Sequence, residues 1–205
     1  MQKSFELAIY LIFTVFLLNS LMAAASTETF HHHMEIQLSP DTSEIRIKDR
    51  IQIPASARNG KEPVQLEFFL HASLSITDIQ DAAIQADENE VVLKSRPISI
   101  RHYTVTLSPG QDTFTLLYGG QIHHAVQGPE QEYARSFGST PGVISPDGVF
   151  LASASAWYPQ FGDTLVSFQL DIRVPSDWDV VSQGSLLREH DTNPFRHLVW
   201  EEKQP

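Results

Sequence analysis

The nine histidines and the absence of cysteine decide which chemistry this 205-residue sequence can attempt. Imidazole with Asp or Glu can bind zinc or move protons. Thiolate metal sites, iron–sulfur clusters, disulfides and cysteine nucleophiles are excluded. His31-His32-His33 is the densest histidine run. Consecutive residues of an extended chain point to alternate faces, so they cannot converge on one ion without a bend. The run is read as an unstructured lead into the first strand. His123-His124 follows a strand end and forms no ready-made chelate for the same reason. His71, His102, His190 and His197 are isolated, with no carboxylate at ligand spacing.

Other catalytic patterns fare no better. A nucleophile elbow needs Gly-x-Ser-x-Gly between a strand and a helix. The nearest string, Gly138-Ser139-Thr140-Pro141-Gly142, has different spacing and no helix after it. Asp87, Glu88 and Glu90 look like a solvated turn. There is no glycine-rich phosphate loop, no calcium loop and no His-Glu-x-x-His zinc signature. Trp157-Tyr158-Pro159 is the aromatic candidate, lying between a strand and a turn next to Phe161. Exposed Trp and Tyr beside proline can form a sugar or peptide platform, and a buried Trp there is a core anchor at a sheet corner. The residues assigned to an interaction surface are therefore Trp157, Tyr158, His123 and His124. No catalytic, cofactor-binding or metal-binding residue is assigned.

The elements that position these residues read as β-strands. In Glu44–Ile53 and in Val166–Val174, apolar and polar residues alternate with a period of two, giving one core face and one wet face. Shorter alternations occur at His33–Leu38, Val64–Leu70, Glu90–Lys94, Ile98–Leu107, Asp112–Tyr118, Val149–Leu151, Asp179–Ser182 and Phe195–Trp200. Turn signals separate them at Ser39-Pro40-Asp41, Arg58-Asn59-Gly60, Ser108-Pro109-Gly110 and Pro146-Asp147-Gly148. Ser75–Glu88 is expected to hold a helical turn, and His124–Ser145 a long surface loop. The fold expected is all-β, an antiparallel β-sandwich or saddle.

Composition narrows the setting. Fourteen basic against 25 acidic side chains give a net charge of −11. That argues against a nucleic-acid partner, which needs clustered Lys and Arg. At the N-terminus, Lys3 precedes an apolar run from Leu7 to Leu18, and Ala23-Ala24-Ala25 fits a small-x-small cleavage site. Twelve helical residues span about 18 Å, short of the roughly 30 Å hydrocarbon core. Residues 1–25 are read as a signal peptide, with membrane attachment only if they stay uncleaved. Residues 26–205 are read as a single β domain. Export without cysteine points to a bacterial periplasm or cell envelope.

Several strings, taken in order, resemble a known family. His33–Asp41 with Ile51-Gln52-Ile53-Pro54 is similar to the opening of a zinc aminopeptidase N-terminal domain. Val64–Leu70 with Leu74-Ser75-Ile76 resembles its second hairpin, and Leu116–Ile122 its "Y-x-G-x-I" strand. Gly148–Leu151 followed by Trp157-Tyr158-Pro159 resembles its "G-x-x-L … W-Y-P" passage. Phe168–Pro175 with Trp178, Val181 and Ser182-Gln183-Gly184 resembles its closing strand and "S-x-G". The family is that of the aminopeptidase N-like zinc metallopeptidases, or gluzincins, particularly divergent bacterial members.

The resemblance implies a saddle-shaped β domain that flanks and helps cap a thermolysin-like catalytic domain. In the family, that second domain carries the zinc and its His-Glu-x-x-His helix, so zinc is expected only there and this chain is expected to be inactive alone. The Gln or Glu that usually helps hold the substrate's amino end is missing from Ala152–Trp157. The implied partner is a missing or separate catalytic domain, the chain being read as truncated at its C-terminal end. A peptide substrate would belong to a full-length relative. The alternative is a stand-alone envelope β-sandwich that binds a protein or glycan.

Overall fold

The computed structural model describes residues 29–58, 60–93, 98–126 and 140–204. The expected signal peptide, and residues 127–139 of the expected loop, lie outside them. Twelve strands account for most of the described chain: β1 Phe30–Ser39, β2 Glu44–Gln52, β3 Val64–His71, β4 Leu74–Gln80, β5 Ala83–Val92, β6 Ser99–Leu107, β7 Thr113–Gln121, β8 Gly142–Ser145, β9 Gly148–Leu151, β10 Val166–Pro175, β11 Ser185–Thr192 and β12 Phe195–Glu202. They form a seven-stranded sheet in the order β11-β12-β10-β1-β2-β7-β4, a three-stranded sheet in the order β3-β6-β5, and a β8–β9 ribbon. The architecture is all-β.

The two large sheets bury one face each. Met34 and Ile36 of β1, Ile45, Ile47 and Ile51 of β2, Phe114 and Leu116 of β7, and Leu170 and Ile172 of β10 belong to the same buried cluster as Phe68 and Leu70 of β3 and Tyr103, Val105 and Leu107 of β6. Burying one such side chain stabilises by about 1.5–3 kcal/mol, so this shared interior, rather than any polar contact, holds the sheets together. Phe161 closes the joint between them. Its ring stacks on Phe30 at 3.9 Å and tilts against Phe68 at 5.4 Å.

Four expectations are corrected. The large sheet is mixed rather than wholly antiparallel, because β1 pairs in parallel with β10 from Phe30↔Val166 to Gln37↔Arg173. Residues 75–88 carry two strands rather than a helical turn. The β4 strand pairs with β7 through a register shift between Ile76 and Asp78, and that bulge moves the next apolar residue, Ile79, out of period two. His31-His32-His33 lies inside β1 instead of leading into it. Asp179–Ser182 forms no strand; the edge strand is Ser185–Thr192, exposed along its whole length.

Two glycines are fixed by crowding. A Cβ on Gly119 would lie 2.5 Å from the carbonyl oxygen of Ile45, and one on Gly120 would lie 2.0 Å from that of Ser73. Both distances are well inside van der Waals contact. Only glycine lets β7 run this close to β2 and to the β3–β4 turn.

Candidate functional site

The place where chemistry-bearing side chains meet is a pocket of about 640 Å³ at one end of the small sheet. It is lined by His71, Ala72 and Ser73 at the β3–β4 turn, Glu90 and Val92 of β5, Ile98 and Ser99 at the start of β6, and His124 beyond β7. His71 is brought here because its backbone N–H donates to the Ala156 carbonyl, which pins the end of β3 beneath the turn that follows Ser153–Ser155. His124 is brought here from the other side. Its N–H donates to the Gly142 carbonyl, and the Thr140 hydroxyl donates to its carbonyl. The ring of His124 thus reaches from the ribbon to the small sheet.

The two Nε2 atoms lie 2.9 Å apart. The Ser73 backbone N–H points at His71 Nδ1 from 3.1 Å. These two distances fix the tautomers. His71 Nδ1 is an acceptor, so its ring proton sits on Nε2 and is donated to His124. His124 Nε2 is then an acceptor, and its proton sits on Nδ1. Burial, and next the neighbouring His124, push His71 down to about 4, against a small opposing pull from Glu90. Burial, and then His123, also lower His124. Both rings are therefore neutral near pH 7.

Such a pair is closed. Its two lone pairs are both occupied, so in this arrangement neither imidazole can take a proton from the Ser73 or Ser99 hydroxyl as a general base. Nor does His71 present Nε2 as a ready metal ligand while Ser73 holds Nδ1 as an acceptor. Among the described residues, no three His, Asp or Glu side chains converge as metal ligands. Glu90 Oε1 accepts from Arg101 Nη2 at 2.7 Å and is already engaged.

A second polar group lies inside the core. His32 Nδ1 and Asp49 Oδ2 are 2.8 Å apart, and both side chains are 0% exposed. The Tyr118 hydroxyl points at the same oxygen from 3.5 Å. Burial, and then Asp49, hold Tyr118 well above the usual phenol range, so it remains a donor. His32 Nε2 and Asp49 Oδ1 have no hydrogen-bond partner among the described residues. Edge-on contact with Tyr158 at 5.5 Å and the nearby Phe161 ring wall off His32.

The residues assigned from sequence fall in different places. His124 lies in the pocket, paired with a histidine that sequence reasoning left isolated. His123 pairs with Val143 of the ribbon, its Nδ1 3.3 Å from the Ile144 carbonyl. Trp157 is buried at 8% exposure and belongs to the core cluster. Tyr158 is half-buried against it, the rings meeting edge-on at 5.2 Å. His190 and His197 also find each other, stacked across β11 and β12 at 5.0 Å. The His71–His124 pairing had no local signal. The buried pair had one, since Asp49 occupies the apolar phase of β2 and His32 that of β1.

No family model matches the sequence, and no curated protein does. Among solved structures, the chain is similar to a mutant M1 zinc metallopeptidase from Deinococcus radiodurans bound to a Tyr-Ser-Ala substrate. That match has 11% identity and a TM-score of 0.48, and it covers 86% of this chain and 39% of that one. A two-domain M1 zinc metallopeptidase mutant bound to L-arginine matches with 12% identity and a TM-score of 0.47, over 86% and 39%. The M1 zinc metallopeptidase from Deinococcus radiodurans itself matches with 11% identity and a TM-score of 0.43, over 85% and 38%. The chain thus spans about two-fifths of the length of these structures.

Proposed function

We propose that this chain is an exported, non-catalytic β domain of the kind that stands beside a zinc aminopeptidase catalytic domain in the periplasm or cell envelope. Its role is to flank and help cap a peptide-binding cleft, and the zinc belongs to the catalytic partner. The observation that carries this reading is where the resembling strings fall. Several of their residues sit at joints of the fold, while others, such as Phe150 and Val181, are exposed. Gly119-Gly120 lets β7 pass against β2 and the β3–β4 turn. Trp157-Tyr158-Pro159 leads into Gln160, which exchanges two backbone hydrogen bonds with Phe69 and so ties the segment to β3. A Cβ on Gly184, whose φ is +85°, would lie 2.1 Å from the Glu201 carbonyl oxygen, so only glycine lets the entry to β11 run this close to β12.

The closed imidazole pair supports a non-catalytic role as well. The test is to assay the purified chain on aminoacyl anilides with zinc, alone and mixed with a separately produced His-Glu-x-x-His catalytic domain. No turnover alone, and a lowered KM for the partner on mixing, are the expected results. Robust chelator-sensitive turnover by this chain alone would overturn the non-catalytic reading, and an unchanged partner KM would overturn the capping role.

A further inference from the structure

We propose that the His71–His124 contact is an acid-released clasp, which ties the end of β7 to the β3–β4 turn while both rings are neutral and lets go when both rings are protonated. The argument is one of proton placement. The closed pair holds two ring protons, one donated by His71 Nε2 to His124 and one on His124 Nδ1. A third proton has two places to go. On His71 Nδ1 it would point at the Ser73 N–H, 3.1 Å away. On His124 Nε2 it would point at the proton on His71 Nε2. The first placement costs the Ser73 contact and leaves the bond to His124 in place; with both rings protonated the two Nε2–H groups face each other, donor against donor, so double protonation and the clasp exclude each other.

The surroundings do not rescue a charged ring. Glu90 is the carboxylate that acts on His71, and Arg101 already holds it at 2.7 Å. The cation of Arg101 offsets the pull that Glu90 would exert. On the other side His123 adds like charge once it is protonated. Among the described residues, the rest of the lining, Ala72, Ser73, Val92, Ile98 and Ser99, carries no charge. The direction of both shifts agrees with the geometry.

The clasp is local because its two sides are anchored independently. His71 stays in β3 through eight paired positions with β6. The backbone of His124 stays with the ribbon through Gly142 and Thr140. Release therefore swings a side chain and opens the pocket mouth without dismantling a sheet.

The test is heteronuclear NMR of the ¹⁵N-labelled chain between pH 3.5 and 7.5, with far-UV circular dichroism alongside. At pH 7, His71 is expected as the Nε2–H tautomer and His124 as the Nδ1–H tautomer. Both rings should titrate well below the ordinary midpoint of about 6.5, and the Ser73 amide should move with the same midpoint while the β spectrum is unchanged. In His71→Phe, His124 should lose its fixed Nδ1–H tautomer, while burial and His123 keep its midpoint lowered. Should that variant not fold, His124→Ala serves, because His124 is partly exposed. Its loss should raise the His71 midpoint and leave the tautomer of His71 unchanged. The proposal is overturned if both rings carry the same tautomer at pH 7. It is overturned equally if the Ser73 amide ignores the titration, or if the whole chain unfolds at the ring midpoint.

Discussion

Replacing Asp49 by alanine removes the one acceptor of the His32 Nδ1–H, at a site where both side chains are 0% exposed and 2.8 Å apart. Breaking a buried pair by deleting one partner costs about 3–5 kcal/mol, because the remaining polar group stays in the core unpaired. Domains of this size have about 5–15 kcal/mol in total, so Asp49→Ala should take about a fifth or more of the stability. The double variant His32→Phe/Asp49→Leu should behave differently. It removes the pair together with the two unpartnered atoms, His32 Nε2 and Asp49 Oδ1. The Tyr118 hydroxyl then loses a contact already at 3.5 Å, a penalty of about 1 kcal/mol. The double variant should thus lie within about 2 kcal/mol of the parent. Urea denaturation of the parent, His32→Phe, Asp49→Leu and the double variant forms a cycle whose coupling term should be several kcal/mol. A cost below about 1 kcal/mol for Asp49→Ala, or strict additivity, would refute the claim that these groups depend on each other.

Two further outcomes follow from the same structure. Gly120→Ala should destabilise by about 2–3 kcal/mol or more, read as a lowered Tm, because its Cβ would meet backbone that cannot step aside, 2.0 Å from the Ser73 oxygen. Stability should also fall with acid. An unfolded imidazole binds its proton near 6.5, whereas His71 in the folded chain does so only at about 4. Between those values the unfolded state holds more protons, so the contribution of His71 is complete above 6.5, shrinks as pH falls, and is gone below about 4. The full difference amounts to at most about 3 kcal/mol, and less where the pocket mouth is wet. Urea midpoints at pH 7 and pH 4.5 measure it, and His71→Phe should flatten that part of the profile.

The strands that could be read from sequence are those whose two faces meet different solvents. In β2, buried Ile45, Ile47 and Ile51 alternate with wet Arg46, Lys48 and Arg50, and the strand ends within a residue of its expected limit. Where one face does not meet the core, the pattern disappears. All eight residues of β11 are exposed, so Ser185–Thr192 has no apolar phase to betray it. The β4 strand is hidden by its bulge, and β8, Gly142–Ser145, by its place at the end of the stretch read as a surface loop. The site was less legible still. His123-His124 attracted notice as a pair of neighbours, yet His124 bonds a residue 53 positions away. Such a partner is set by how the ribbon packs on the small sheet, and no local spacing encodes it. Trp157 is buried at 8% exposure, and its sequence context does not foretell this, because aromatics beside proline at a sheet corner serve as binding platforms or as core anchors.

The parallel pairing of β1 with β10 has a consequence for the order of events during folding. Val166 lies 136 positions after Phe30, so these strands meet only after a very long loop has closed. Loop-closure entropy makes that about 2 kcal/mol harder than forming a ten-residue hairpin. The antiparallel partners β1 and β2 need no such wait, being separated by one short turn. During synthesis β1 therefore carries an open hydrogen-bonding edge until residues 166–175 have emerged, and β12 can dock only after them. A nascent chain of this design is most exposed to wrong strand partners in that interval. The slow step of its folding should be the arrival of β10 between β1 and β12.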